Sequence, residues 1–264
     1  MYTDFLESVL AEASKIALRM SGGIKSTTKK GDNNQVLTEA DLEIGKFIIQ
    51  KIKSAYPKHN IVDEEAGVID NKSGFTWVVD PIDGTANFAE ELPHYGIMIG
   101  LLEGSIPIGG GISLPFFKDT YLAEKGKGSF CNGKRISVTK EINLLKLLVV
   151  YQIDGHQENP GLTRDEAGFI PEIVLNIRSL RVSGSAFDYM MVANGKYGAI
   201  LSKTGKIWDH VAPQIIIEEA GGKYTDFYGR PQDYSNPLNK SKDNFTCLAA
   251  SPLLHGKLTD IINK

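Results

Sequence analysis

Phe75-Thr76-Trp77-Val78-Val79 runs straight into Asp80-Pro81-Ile82-Asp83-Gly84-Thr85, an apolar, β-branched stretch that delivers two carboxylates three residues apart. A near-continuous run of this kind reads as a buried strand. At its end Pro81 fixes a turn, Gly84 permits close backbone approach, and Thr85 caps the helix that opens there. Working outward, residues 3–20 read as an amphipathic helix, with Phe5, Val9, Ala13, Ile16 and Met20 at three- and four-residue spacing, Thr3 as its cap and Gly22-Gly23 as its end. Residues 25–34 are polar, lysine-rich and without period, hence a loop, and a second helix over 39–55 stops before Tyr56-Pro57. Further strands are expected at 95–102, 106–113, 119–124 and 145–153. A helix runs from Ser185, its cap, to Asn194, followed by a strand over 197–201, a helix over 210–220 and a strand near 223–227. The polar stretch 229–244 is a surface loop. Strands and helices alternate throughout, which defines one layered α/β domain over residues 1–264.

The 264 residues carry 29 basic and 32 acidic side chains, a balance with no footprint for nucleic acid or an anionic membrane. No apolar run approaches the ~18 residues of a membrane span, and Asp4 and Glu7 stand where a signal peptide needs basic residues. With only Cys131 and Cys247, a reduced, cytoplasmic setting is expected. The five histidines have no zinc-binding spacing, and His210, next to a candidate ligand, either supports that ligand from behind or, by preference, caps a helix or faces solvent. Gly109-Gly110-Gly111 fails the dinucleotide fingerprint because Leu114 stands where its last glycine belongs, and no Gly-Lys pair is followed by the Ser or Thr of a P-loop. Cys131 reads as a buried thiol, not a nucleophile.

Carboxylates at a strand end beside a helix start combine a hard-cation site with an anion site, the arrangement Mg²⁺ shares with phosphate oxygens. The same residues read equally as an Asp-Gly turn with an acid at a cap. Three more acidic spots fall at element boundaries: Glu64-Glu65 after Ile61-Val62, Asp209 after Trp208, and Thr38 with Asp41 at i and i+3. Each alone reads as a capping acid. Together they form a set that repels itself unless cations hold it.

Asp80-Pro81-Ile82-Asp83-Gly84-Thr85-Ala86-Asn87-Phe88, with Trp208-Asp209-His210-Val211-Ala212 running on to Glu219-Ala220-Gly221-Gly222, resembles the inositol monophosphatase family, and the segment Gly126–Gly133 resembles that family's hairpin. The likeness covers nearly the whole chain and implies an αβαβα sandwich like that of inositol monophosphatases and fructose-1,6-bisphosphatases. It implies an Mg²⁺-dependent phosphate monoesterase with two or three ions held by Glu64, Asp80, the Ile82 carbonyl, Asp83 and Asp209. By the same resemblance Asp41 and Thr85, with Glu64, activate water, while Asp83, Gly84, Thr85, Gly184, Ser185 and Asp209 contact the substrate. A homodimer and lithium sensitivity are further implications, and Lys30 falls in a loop that closes near the metals in relatives.

Two departures bear on the substrate. Asp63 stands where relatives carry Gly, so that an extra carboxylate either perturbs the first metal site or faces solvent. Counting seven back from Asp209 gives Ser202, where inositol-active relatives carry a hydroxyl-binding Glu, with Lys203 and Lys206 close by. Those lysines either suit a second phosphate, as in fructose 1,6-bisphosphate or a phosphoadenosine nucleotide, or point into solvent. A metal-dependent phospholigand sensor without turnover is the reading from a different functional class.

Overall fold

Residues 1–22, 26–28 and 36–263 are described by a computed structural model. The first helix, α1 (Tyr2–Met20), starts one residue earlier than its spacing predicts; Met1 and Ser21 take the cap positions expected of Thr3 and the glycine pair. Within the stretch read as a loop, β1 (Ser26–Thr28) pairs antiparallel with β2 (Val36–Thr38); Lys30 lies outside the described residues. Next come α2 (Glu39–Ala55), ending where Tyr56-Pro57 requires, and the hairpin of β3 (Asn60–Asp63) with β4 (Gly67–Ile69).

The deciding strand, β5 (Phe75–Asp83), continues past Val79 through both carboxylates. Trp77 and Val79 pack with Leu6, Ile44 and Ile48 of the first two helices, while Val78 packs with Ile207 and Val211 on the other face. Both faces are therefore covered, which is why the run shows no alternation. Asp80 opposes Met98 and Asp83 opposes Gly96, so three steps along β5 face two along its neighbour, a bulge. Pro81, which has no N–H to give a ladder, sits in this bulge and not at a turn after the strand. The strand is followed by the short α3 (Thr85–Ala89) and a meander of β6 (Gly96–Glu103), β7 (Ile106–Leu114), β8 (Asp119–Glu124), β9 (Gly128–Cys131) and β10 (Lys134–Arg135). The sheet order is β10-β9-β8-β7-β6-β5-β3-β4, antiparallel except for β3 beside β5.

The second half comprises β11 (Leu148–Gln152), α4 (Pro160–Gly168), α5 (Ile170–Asn176), β12 (Ser179–Arg181), α6 (Ala186–Ala193), β13 (Ala199–Ser202), α7 (Ile207–Glu219), β14 (Lys223–Thr225), β15 (Cys247–Ala250) and α8 (Pro252–Ile262). Its sheet runs β12-β11-β13-β15-β14, with β11 parallel to both of its neighbours. Helices α1 and α2 cover the outer face of the large sheet, α6 and α7 fill the space between the sheets, and α5 and α8 cover the outer face of the small one. This is the expected αβαβα layering. The glycine run on β7 serves packing: a Cβ on Gly110 would fall 2.5 Å from Ile215, and one on Gly111 2.7 Å from Leu10, so the glycines admit helices to the sheet. No described helix is long and apolar enough to cross a membrane.

Candidate active site

Parallel pairing creates the site. β3 and β5 run side by side with Asp63 aligned to Val79, and the Glu64 N–H donates to the Val79 carbonyl at 3.2 Å, so Glu64 leaves its strand beside Asp80. Asp209 arrives from the third position of α7, where its Oδ2 accepts the N–H of the cap residue Lys206 at 2.7 Å. A cavity of about 680 Å³ is lined by Glu64, Asp80, Ile82, Asp83, Gly84, Thr85, Gly184 and Asp209, among others.

Carboxylate oxygens of Asp80, Asp83 and Asp209 lie within 4.8 Å of one another; Glu64 lines the same cavity outside that group. Burial, reinforced by neighbouring carboxylates, holds the Asp80 and Asp209 carboxyls well above the usual range. Burial also raises Asp83 to about 7, opposed by the Ala186 N–H that donates to its Oδ2 and reinforced by Glu64 and Asp188. Asp80 Oδ1 is buried with no hydrogen-bond partner among the described residues. Three mutually repelling carboxylates with an orphaned oxygen and oxygen donors throughout fit a hard divalent cation such as Mg²⁺.

Beside this cluster Asp41 is buried, accepting from the Thr38 N–H at 2.8 Å and the Thr38 hydroxyl at 2.5 Å through Oδ2, and from the Thr85 hydroxyl at 3.2 Å through Oδ1. Burial pushes its carboxyl up against the lowering pull of these donors. Thr85 also lies within reach of the Ile82 carbonyl, 2.8 Å away, so its one proton has two acceptors. The cap of α3 is Gly84, not Thr85: its φ is +80°, and a Cβ there would fall 2.9 Å from the His94 carbonyl.

Several expectations are corrected. Asp63 neither reaches the cluster nor faces solvent; it is buried, and its Oδ1 accepts the N–H groups of Glu65 and Ala66 at 3.0 and 2.7 Å, shaping the turn that carries Glu64. Gly184 lines the cavity, but the Ser185 side chain does not: it caps α6 in a box with Asp188. His210, assigned to a cap or the surface, is fully buried, with Nδ1 2.7 Å from the Tyr224 hydroxyl and Nε2 against Gly205. Its burial drives its pKa down to about 3, which keeps it neutral. Cys131 is half-buried and Cys247 buried; neither forms a disulfide.

Both lysines near Ser202 line the cavity, and both are engaged. The Lys203 ammonium pairs with Asp165, and Lys206 Nζ donates to the Lys242 carbonyl at 2.9 Å. The cavity also takes in Gln152, Asp154, His156 and Glu166, which the sequence reading did not single out. Gln152 ends β11, Asp154 and His156 follow it, and Glu166 sits on α4, a short polar helix with no apolar stripe to announce it.

An oxygen-only carboxylate cluster at the ends of parallel strands, beside helix starts, defines a centre for cation-assisted phosphoryl chemistry. The chain belongs to the inositol monophosphatase family, whose sequence model matches residues 2–259, and it is a phosphatase of that family. It is 30% identical over 263 residues to the fructose-1,6-bisphosphatase/inositol-1-monophosphatase of Thermotoga maritima, covering 99% of this chain and 95% of that one. A solved Thermotoga maritima inositol monophosphatase superposes with a TM-score of 0.84 at 28% identity, over 98% of this chain and 96% of that one. An IMPase/NADP phosphatase solved with Mg²⁺ and phosphate shares the fold at a TM-score of 0.83 and 22% identity, over 98% of this chain and 94% of that one.

Proposed function

We propose that the protein hydrolyses a small phosphorylated polyol or sugar, inositol 1-phosphate foremost, by direct attack of water. The carrying observation is the cluster of Asp80, Asp83 and Asp209, whose mutual repulsion and orphaned Asp80 oxygen call for cations. With Glu64 and the Ile82 carbonyl these residues would hold two or three Mg²⁺, and the neighbour solved with Mg²⁺ and phosphate supports the choice of metal. When bound, the ions supply the charge that acidifies water and neutralises the leaving oxygen.

The chain's own residues do the rest. Thr85 accepts a proton from water only while its own proton is given to Asp41, and the raised affinity of buried Asp41 for a proton favours that direction. Glu64, which lines the same cavity, orients that water. Gly84 and Thr85 offer backbone N–H groups at a helix start, where phosphate oxygens are favoured. Asp83 and Asp209 meet both the cation and the ester, and Gly184, with Ser185 behind it, forms the facing turn.

A second reading, fructose-1,6-bisphosphatase, is favoured by the double name of the Thermotoga maritima relative; a 3′,5′-bisphosphate nucleotidase is its counterpart for nucleotides. Against both, Lys203 and Lys206 are already partnered. We further propose a homodimer through exposed Phe116 and Phe117, lithium sensitivity by family likeness, and a cytoplasmic setting that suits two free cysteines.

The test is phosphate release with and without Mg²⁺ from inositol 1-phosphate, fructose 1,6-bisphosphate, 3′-phosphoadenosine 5′-phosphate and histidinol phosphate. Mg²⁺-dependent preference for inositol 1-phosphate is expected. Preference for a bisphosphate promotes the second reading, and no turnover of any ester with metal bound leaves a phospholigand sensor.

A further inference from the structure

Strands β11 and β13 are parallel, and their last residues, Gln152 and Ser202, are register partners. Both strand ends feed the wall of the cavity, yet they contribute differently. Ser202 is fully buried, its hydroxyl donates to the Thr204 carbonyl, and it does not line the cavity. Asp154, two residues past the end of β11, does. Its Oδ2 accepts from Gln152 Nε2 at 3.0 Å and from the Thr204 hydroxyl at 2.5 Å, whereas its Oδ1 accepts no hydrogen bond among the described residues.

The segment carrying Asp154 is held firmly from α4. The Asp154 N–H donates to Glu166 Oε2 at 3.1 Å, and its carbonyl accepts the Thr163 hydroxyl at 2.8 Å. That hydroxyl in turn accepts the His156 N–H at 2.8 Å, and His156 Nε2 lies 3.0 Å from Oε1 of the buried Glu166. A carboxylate fixed in this way, with one oxygen unengaged, is preorganised to accept a hydrogen bond from a ligand. The neighbouring cation is already engaged: Lys203 Nζ pairs with Asp165 and lies 4.6 Å from the centre of the Phe169 ring.

We infer that Asp154 is the acceptor for a leaving-group hydroxyl, supplying from the end of β11 what position 202 cannot supply from the end of β13. The ester this cavity selects is therefore polyhydroxylated, and a hydroxyl near the ester bond donates to Asp154. The inference rests on the phosphatase reading given above.

The experiment compares Asp154→Asn with the wild-type enzyme on inositol 1-phosphate and on 4-nitrophenyl phosphate, which has no hydroxyl to donate. Asparagine keeps the shape and the Oδ acceptor for Thr204 and Gln152 while replacing the other oxygen with a donor. kcat/KM for inositol 1-phosphate is expected to fall about 10- to 100-fold, with 4-nitrophenyl phosphate changed by less than about 2-fold. Asp154→Ala, with its melting temperature measured alongside, should show the same selectivity. Equal losses on both esters, or no loss on inositol 1-phosphate, overturn the inference while leaving the phosphatase reading in place. A wild-type enzyme inactive on both esters in Mg²⁺ overturns the phosphatase reading and the inference with it.

Discussion

Helices α2 and α6 begin the same way and end up with different work. Thr38 and Asp41 form one capping box, Ser185 and Asp188 the other, and in each the acid is buried and its carboxyl pushed up by that burial. In each, the acid accepts the N–H of the cap residue, at 2.8 Å in the first box and 3.1 Å in the second. The difference is a third partner. Asp188 takes the Ser183 hydroxyl, 3.1 Å away on the adjoining loop, whereas Asp41 takes the Thr85 hydroxyl from the junction of β5 and α3. The acid of one box takes its third partner from the adjoining loop, and the acid of the other takes it from an element 44 residues away that lines the cavity. A cap motif thus specifies where a helix starts, while a distant strand decides whether its acid takes part in chemistry.

The largest effect is expected from a residue outside both boxes that touches the second one. Asp83 accepts the Ala186 N–H and belongs to the carboxylate cluster. Asp83→Asn should lower kcat about 10³-fold with the circular dichroism spectrum unchanged; near-normal activity would remove Asp83 from the metal site. A smaller but more discriminating contrast sets the two boxes against each other. Asp41→Asn should cost about 10²-fold in kcat, as expected for loss of a general base. Asp188→Asn should leave turnover within a few-fold and cost about 1 kcal/mol of stability in denaturant unfolding. Similar activity losses in the two variants would erase the distinction drawn here.

The smallest effect is a pH dependence of stability. Folded carboxyls with raised pKa values bind protons more tightly than the unfolded chain, so their contribution is fully present below pH ~4 and lost as pH rises toward about 7, the value for Asp83. Thermal melts of the metal-free protein should therefore fall between pH 4 and 7, by on the order of 5 °C. Mg²⁺ should remove the part owed to Asp80, Asp83 and Asp209 and leave the part owed to Asp188. A flat profile without Mg²⁺ would mean that the cluster is not under electrostatic strain.

Much of this site was legible because its acids fall at element boundaries that leave local signatures. Thr38 and Asp41 announce a helix start, and the apolar run before Asp80 announces a buried strand. The bulge was not legible, since Pro81 reads as a turn until the β6 partners show two steps facing three. Nor was β15: Cys247-Leu248-Ala249-Ala250 is short and without alternation, and it becomes a strand because β13 and β14 flank it. His210 was misplaced because a histidine beside an acid at a helix start reads as polar surface. Its burial depends on Tyr224, from a strand that follows the helix. Asp154 left no signal at all, since its role depends on partners spread from Gln152 to Thr204.

Gly84 has a consequence for how such an enzyme changes over generations. Its positive φ and the 2.9 Å approach of a Cβ to the His94 carbonyl exclude a side chain on two independent grounds. The part of the cavity that we propose grips phosphate is thereby closed to drift at this position. The half built from the ends of β11 and β13 carries no comparable prohibition on residue type at 154 or 203. Descendants of this chain can acquire new leaving groups by changing letters there, with the hydrolytic half inherited intact.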